Sequence, residues 1–301
     1  MITNLDILYR VSLLEGQAMA MLASTTQMCE KARKTHDLSK TATAALGRLL
    51  TLSGMTASRM KEGSMTVTVQ GDGPIGRMIA VAKPDGTVKG CVDDPQVELP
   101  RKNGKLDVGG AVGHEGRLTV VRDMGLKEPY VGQVKLQSGE IGEDMAYYYT
   151  VSEQTPSLVS VGVLVKDTVL SAGGLVIQPL PGCSEAALQS LEMTAPLCTN
   201  LSDTLLRLGA EETLYDLMGH LQPVILETGK LTYQCDCSRE RMERALISLG
   251  EKELTSMIGE QDGIEMGCQF CGEKRHFSTA DLRALLEAAR SRGQQDDGSG
   301  E

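Results

Sequence analysis

Along residues 17–60, QAMAMLASTTQMCEKARKTHDLSKTATAALGRLLTLSGMTASRM, apolar side chains recur at helical spacing. The pattern predicts two helices divided near His36 and Asp37. At Met65 the period changes to two. MTVTVQGDGP alternates and runs into a glycine turn, and RMIAVAKPDGTVKGCV repeats the alternation around Asp85-Gly86 as a hairpin. RLTVVRD, YVGQVKL and LVSVGVLV continue as strands, with a short helix over Glu143 to Tyr149. Residues 1–182 therefore read as an α+β core domain, largely antiparallel sheet with helices laid on it.

Past PLPGC the pattern shifts again. Residues 184–221, SEAALQSLEMTAPLCTNLSDTLLRLGAEETLYDLMGHL, predict two or three short helices cut at Pro196 and near Gly209, with Ser184 and Asn200 as N-caps. Leu201, Leu205 and Leu208, then Leu214, Leu217, Met218 and Leu221, form apolar stripes along them. Helices this short are marginal alone and hold by packing on something else. Residues 183–230 thus read as a conditional helical linker, although the stripes by themselves favour core helices that never leave the core. Residues 231–290 form a small C-terminal cysteine module, with a helix after Ser238, a hairpin at Cys268 to Cys271 and a helix after Ser278. The tail, 291–301, has the composition of a disordered segment.

Composition narrows the function. A chain of 301 residues buries a substantial core and favours two domains over one. Forty acidic residues against 30 basic ones give a net charge of -10, which repels a phosphate backbone. Two Phe and no Trp leave few platforms for stacking bases, so nucleic acid is not an expected partner. Fifteen Met supply adaptable apolar surface, and Met193, Met218 and Met257 either contact varied partners or simply pack. The chain starts without a basic run leading into an apolar stretch, and no run of about eighteen apolar residues occurs. A cytoplasmic protein that does not engage a membrane is expected, in which eight cysteines serve as metal ligands, redox groups or core residues.

The chemistry concentrates in four of those cysteines. Cys235 and Cys237, a gap of thirty residues, then Cys268 and Cys271 offer two close pairs of thiolates, the set that zinc takes in a closed tetrahedral site. In CQFCG the turn lets backbone N–H groups support the sulfurs, and Gly272 relieves the bend. The plainer reading is four unrelated thiols. A C-x-C pair is less usual in a static ribbon than C-x-x-C, and both pairs are close enough in sequence to close into disulfides once a metal leaves. Zinc contributes about 10–16 kcal/mol to such a site, whereas a module of about sixty residues has only a few kcal/mol of its own. Oxidising the thiolates is therefore expected to unfold it. Arg239, Arg241, Lys274 and Arg275 lie beside the ligands in sequence and either raise thiolate character or form a solvated basic face.

Other motifs lead nowhere. GDGPIG at 71–76 matches a dinucleotide fingerprint in form, but the strand RMIAVA follows where a helix should begin. His114-Glu115 lacks the second histidine of a zinc-protease helix, no Walker-type lysine occurs and no hydrolase set assembles. The chain is not expected to be an enzyme.

Together the core, the short helices and the cysteine module resemble the redox-regulated heat-shock holdases of the thirty-three-kilodalton chaperonin family. VTVQGDGPIGRM at 67–78, DMGLKEPYVGQVKLQSGEIGEDMAYYYTVSEQTPS at 123–157 and AGGLVIQPLPG at 172–182 carry the likeness, collinear from about Val67 to Phe277. The resemblance implies that Cys235, Cys237, Cys268 and Cys271 hold one zinc in a reduced, inactive state. It further implies that hypochlorite, or peroxide combined with heat, joins Cys235 to Cys237 and Cys268 to Cys271, expels zinc, unfolds the module and destabilises the linker. Exposed surface then captures unfolding proteins without ATP, the oxidised chain forms a homodimer, and clients pass to an ATP-dependent foldase. Cys29, Cys91, Cys183 and Cys198 fall outside the motif and read as small core residues, although adventitious disulfides at Cys183 and Cys198 would blur a switch.

Three classes of function are thereby separable. A redox-switched holdase gains activity when zinc leaves. A zinc-ribbon adaptor loses it. A thiol oxidoreductase turns over at an exposed C-x-x-C in a thioredoxin-like βαβ setting, which CQFC lacks.

Overall fold

The computed structural model describes residues 5–259 and 263–296. The chain divides into two compact units, Met1–Gln234 and Cys235–Glu301.

The first unit opens with β1 (Ile7–Leu13) and β2 (Ala18–Ser24), paired antiparallel with Tyr9 opposite Leu22. The second of these corrects the helix expected from residue 17. Six of its seven residues are buried, so no alternation marks it, and its Ala and Met content mimics a helix. Helices α1 (Thr26–His36) and α2 (Lys40–Ala57) follow, parted by Asp37 in the left-handed region and by Ser39, whose Oγ accepts the Ala42 N–H. Then come β3 (Ser64–Gln70), β4 (Arg77–Ala82) and β5 (Thr87–Val92), in which residues 71–76 are a turn leading straight into a strand. The short α3 (Val108–Val112) precedes β6 (Arg117–Asp123) and β7 (Tyr130–Lys135); α4 (Gly142–Ser152) then leads to the long hairpin β8 (Leu158–Val165) and β9 (Val169–Pro179).

Past Ser184, whose Oγ accepts the Ala187 N–H, run α5 (Glu185–Thr194), α6 (Leu201–Leu208) and α7 (Ala210–Met218). Asn200 makes no side-chain cap, and a 3-10 turn over Ala195–Asn200 joins the first two. After a 3-10 turn over Gly219–Leu221, the segment read as helical linker ends in a strand, β10 (Val224–Gly229), added to the edge of β1. β11 (Thr232–Tyr233) lies parallel to β5, so residues 231–234 belong to this first unit, and Leu231 and Tyr233 are buried in its core.

Two sheets result: a five-stranded one ordered β10-β1-β2-β9-β8, and a six-stranded one ordered β11-β5-β4-β3-β6-β7. Apart from β11, every pairing in them is antiparallel. Helix α2 is buried nearly all round and packs on strands of both sheets; its small and apolar residues fill the core, and the hydroxyls of Thr43, Thr51 and Thr56 bond carbonyls one turn back. A second cluster forms where α5, α6 and α7 cover the five-stranded sheet. Val11, Leu13, Leu22, Leu175 and Ile177 project from the sheet onto Leu191, Leu201, Leu205, Leu214, Leu217, Met218 and Leu221. Met218 is fully buried there, whereas Met193 is 71% exposed.

The second unit holds α8 (Arg239–Ser248), α9 (Glu251–Ile258), the hairpin β12 (Ile264–Gly267) and β13 (Lys274–Phe277), and α10 (Thr279–Asp296). Ser238 caps α8 through the Arg241 N–H, and Ser278 stands before α10, as the sequence predicts; α9 has no counterpart in that reading. Part of the tail read as disordered, up to Asp296, is helical, and residues 297–301 lie outside the described residues. No helix among the described residues is long and apolar enough to cross a membrane.

Candidate metal centre

Two short pieces of chain build the centre. One is the extended segment entering α8, which carries Cys235 and Cys237. The other is the turn between β12 and β13. Its N–H groups fold inward: Cys268 N–H donates to the Glu273 carbonyl at 2.9 Å, and those of Cys271 and Gly272 donate to the Cys268 carbonyl at 3.3 and 2.8 Å. Gly272 closes this turn at φ 71°, a conformation that costs a residue without a Cβ little.

The four Sγ atoms all lie within 4.8 Å of one another. Cys235 Sγ is 3.6 Å from Cys268 Sγ, and Cys237 Sγ is 3.3 Å from Cys271 Sγ. A tetrahedron of sulfurs about 2.3 Å from a central zinc has edges of about 3.8 Å, so the observed spacing and donor chemistry both suit that ion. Four cysteines can hold a metal here, and a set of four leaves no coordination position open for a substrate.

Without a metal the sulfurs compete for protons. Burial raises the Cys235 and Cys237 thiols above the ordinary value, and at Cys237 the neighbouring Cys271 and Cys235 sulfurs add to it. Burial pushes Cys268 the same way but is outweighed: the Phe270 N–H, the Cys271 and Cys235 thiols and the Cys271 N–H donate to it and hold it below its usual range.

The basic residues flanking the ligands are not a free positive field. Arg239 pairs with Glu243 and Asp281, both at 3.0 Å; Arg241 with Asp236 at 2.8 Å; Lys274 with Glu265 at 2.7 Å; Arg275 with Glu273 at 2.5 Å. Sequence reasoning missed these acids, although Asp236 stands between Cys235 and Cys237 and Glu273 two residues after Cys271. Glu273 Oε2 also lies 4.0 Å from Cys237 Sγ. Beneath the centre the apolar core is small: Met242, Leu246, Leu254, Phe277, Leu282 and Leu286 are its buried members among the described residues.

The remaining cysteines lie elsewhere. Burial pushes the Cys29 thiol up to about 12 and the Cys198 thiol up to about 11, as for inert core residues, while Cys91 and Cys183 are half-buried.

Comparison with known proteins places this arrangement. The family model described as Hsp33 protein matches residues 6–278. The 33 kDa chaperonin of Thermoanaerobacter sp. (strain X514) is 44% identical over 291 residues, spanning 94% of this chain and 99% of the relative. That of Clostridioides difficile (strain 630) is 42% identical over 287 residues, again 94% and 99%. The crystal structure of the 33 kDa chaperonin (heat shock protein 33 homolog) from Thermotoga maritima superposes with a TM-score of 0.85 at 38% identity, covering 95% of this chain and 99% of that one. With the family model and these relatives spanning nearly the whole sequence, the chain belongs to the Hsp33 family of heat-shock chaperones.

Proposed function

We propose that this chain is a redox-regulated, ATP-independent holdase, inactive while its four cysteines hold zinc and active once they are oxidised. The observation that carries this reading is the convergence of Cys235, Cys237, Cys268 and Cys271 within 4.8 Å, in a unit with a small apolar core. Zinc, when bound, supplies the cation that lets four thiolates stay together and the binding energy that keeps the unit folded. Oxidation removes ligands in pairs. Two thiolates give one S–S bond, and the electron pair passes to hypochlorous acid, leaving chloride and hydroxide, or to hydrogen peroxide, whose O–O bond breaks to leave two hydroxides that solvent protons convert to water. A disulfide sulfur is neutral and a poor ligand, so joining Cys235 to Cys237 and Cys268 to Cys271 frees the metal. The unit then cannot offset the conformational entropy of its ordered residues, and it unfolds.

The output lies in the first unit. There α5, α6 and α7 cover an apolar sheet face with apolar stripes of their own. Loosening them exposes both surfaces, which suits capture of unfolding proteins without sequence preference or nucleotide. The same exposure favours a homodimer in the oxidised state, and captured clients then pass to an ATP-dependent foldase. This work belongs in the cytoplasm, where thiols are reduced until stress arrives.

The test is light scattering from a heat-unfolded client enzyme, with the protein added either reduced and zinc-loaded or oxidised, and zinc release read in the same samples. Suppression by the oxidised, zinc-free form alone is expected. Suppression by the reduced form alone, or by neither, makes the centre a structural staple of a zinc-ribbon adaptor.

A further inference from the structure

Arg239 begins α8, two residues after Cys237, yet most of its side-chain contacts are made with the chain that follows the other cysteine pair. Its Nε is 3.0 Å from Glu243 Oε1 on its own helix, which holds the side chain stretched across the unit. One terminal nitrogen donates to the His276 carbonyl at 3.3 Å, and the other meets Asp281 Oδ1 at 3.0 Å. The guanidinium carbon sits 4.6 Å from the centre of the Phe277 ring, which is fully buried in the middle of this unit's core. Asp281 is itself fixed, its Oδ2 accepting the Ser278 N–H at 2.9 Å and the Ser278 Oγ at 2.8 Å.

From these contacts we infer that Arg239 is a positioning residue for the metal centre, a clamp that holds the Cys235–Cys237 segment against the Cys268–Cys271 hairpin before any ion arrives. The two pairs are separated by thirty residues, so a chain lacking the clamp must bring them together from a broad ensemble, and the entropic cost falls on metal affinity. The planar fork matters as much as the charge. It addresses a carbonyl, a carboxylate and a ring face at once, which a lysine ammonium does not. The arginine that sequence alone leaves between tuning thiolates and a solvated basic face thus acts through geometry.

This inference rests on the zinc reading above, and cobalt(II) titration of the reduced, metal-free full-length chain separates the two. Tetrahedral cobalt thiolate has an intense visible band, which reports site geometry at saturation and affinity along the titration. The wild type is expected to show the band with one equivalent bound. Arg239→Ala should reach the same band at saturation while needing about tenfold more metal, the usual loss when a supporting partner of a metal site is removed. Arg239→Lys should not restore the affinity, and Asp281→Asn, which leaves the arginine in place without its charged partner, should fall between. Wild-type affinity in Arg239→Ala or in Arg239→Lys overturns the clamp. So does an Arg239→Ala chain that never develops the band at saturating metal, since Arg239 would then be required for folding rather than for positioning. A wild type without the band removes the zinc reading, and the clamp with it.

Discussion

Leu205 on α6 fills the space a side chain at Gly173 would need: a Cβ there would stand 2.3 Å from Leu205 Cδ1 and 2.3 Å from the Ala23 carbonyl oxygen. Gly173 on β9 is the cross-strand partner of Gly162 on β8, and at Gly162 a Cβ would stand 2.9 Å from Ser202 Oγ and 3.1 Å from Ser202 Cβ. The glycine pair is therefore a seat that lets α6 approach the sheet closely. Gly162 is the informative position, because its added methyl meets only the helix above and no backbone carbonyl. Gly162→Ala should cost about 1–3 kcal/mol, spent on lifting α6. In the reduced protein this should raise binding of a dye for exposed apolar surface and hasten proteolysis within residues 184–221. Ser202→Gly in the same chain should reverse both effects. Unchanged dye binding and cleavage would mean that the cover does not depend on this seat.

The pairing of the cysteines on oxidation is a separate question, because the nearest sulfurs are not neighbours in sequence. Cys235 lies 3.6 Å from Cys268 and Cys237 lies 3.3 Å from Cys271, across separations of 33 and 34 residues. Those contacts depend on the unit staying folded. If the first disulfide or metal loss melts it, as the proposed function requires, closure entropy penalises the long loops and leaves Cys235 with Cys237 and Cys268 with Cys271 within reach. Peptide mapping after hypochlorite treatment should find the two local disulfides. Cross-links between Cys235 and Cys268 or between Cys237 and Cys271 would show oxidation outrunning unfolding, and would lock the unit instead of releasing it.

The same contrast between local and distant information explains what the sequence discloses. The four clustered cysteines and their turn are legible because metal sites reuse short spacings, and Ser184 is legible as a cap because capping is local chemistry. Residues 18–24 are misread because a strand covered on both faces loses its alternation, and Val224–Gly229 because its partner β1 lies over two hundred residues away. Arg239 shows the same limit inside the site. Its neighbours in sequence are Ser238 and Glu240, while the groups that define its role are Asp281 and Phe277.

Asp6 gives the first unit a pH dependence of unusual sign. Its carboxylate accepts the Gln27 N–H at 2.9 Å and the Met28 N–H at 2.7 Å at the start of α1. Burial nonetheless raises its pKa from 3.8 to about 6, outweighing those bonds and the attraction of Lys230. The folded chain thus holds the proton more tightly than the unfolded one, so this group's contribution is complete below the unfolded value and is lost as pH rises through about 6. The shift corresponds to about 3 kcal/mol. Urea unfolding of the first unit at about pH 4 and about pH 7 should show the wild type losing stability relative to Asp6→Asn by an amount of that order. A difference that stays flat with pH would refute the assignment.

Just ahead of the cysteines, Tyr233 ties the chain to the first unit, and this sets where the unfolding caused by metal loss alone, without oxidation, should stop. Its hydroxyl donates to the Gly90 carbonyl at 2.9 Å and meets His36 Nε2 at 2.7 Å, and the two rings stand edge to face with centroids 6.2 Å apart. The Thr232 and Gln234 N–H groups bond the Gly86 and Val88 carbonyls at 2.9 and 2.8 Å, and Leu231 is buried beside them. None of these contacts involves a metal ligand. When a chelator strips zinc from the reduced protein, the amides of Cys268 and Gly272 should exchange with solvent at once, while those of Thr232 and Gln234 stay protected. Tyr233→Phe removes the bond to a buried carbonyl, at a cost of about 1–3 kcal/mol. It should therefore speed exchange at Thr232 and Gln234 about tenfold or more without altering Cys268. Equal exchange at Gln234 and Cys268 in the chelated wild type would mean that the anchor is no barrier and that loss of the metal reaches β10 and β11 directly.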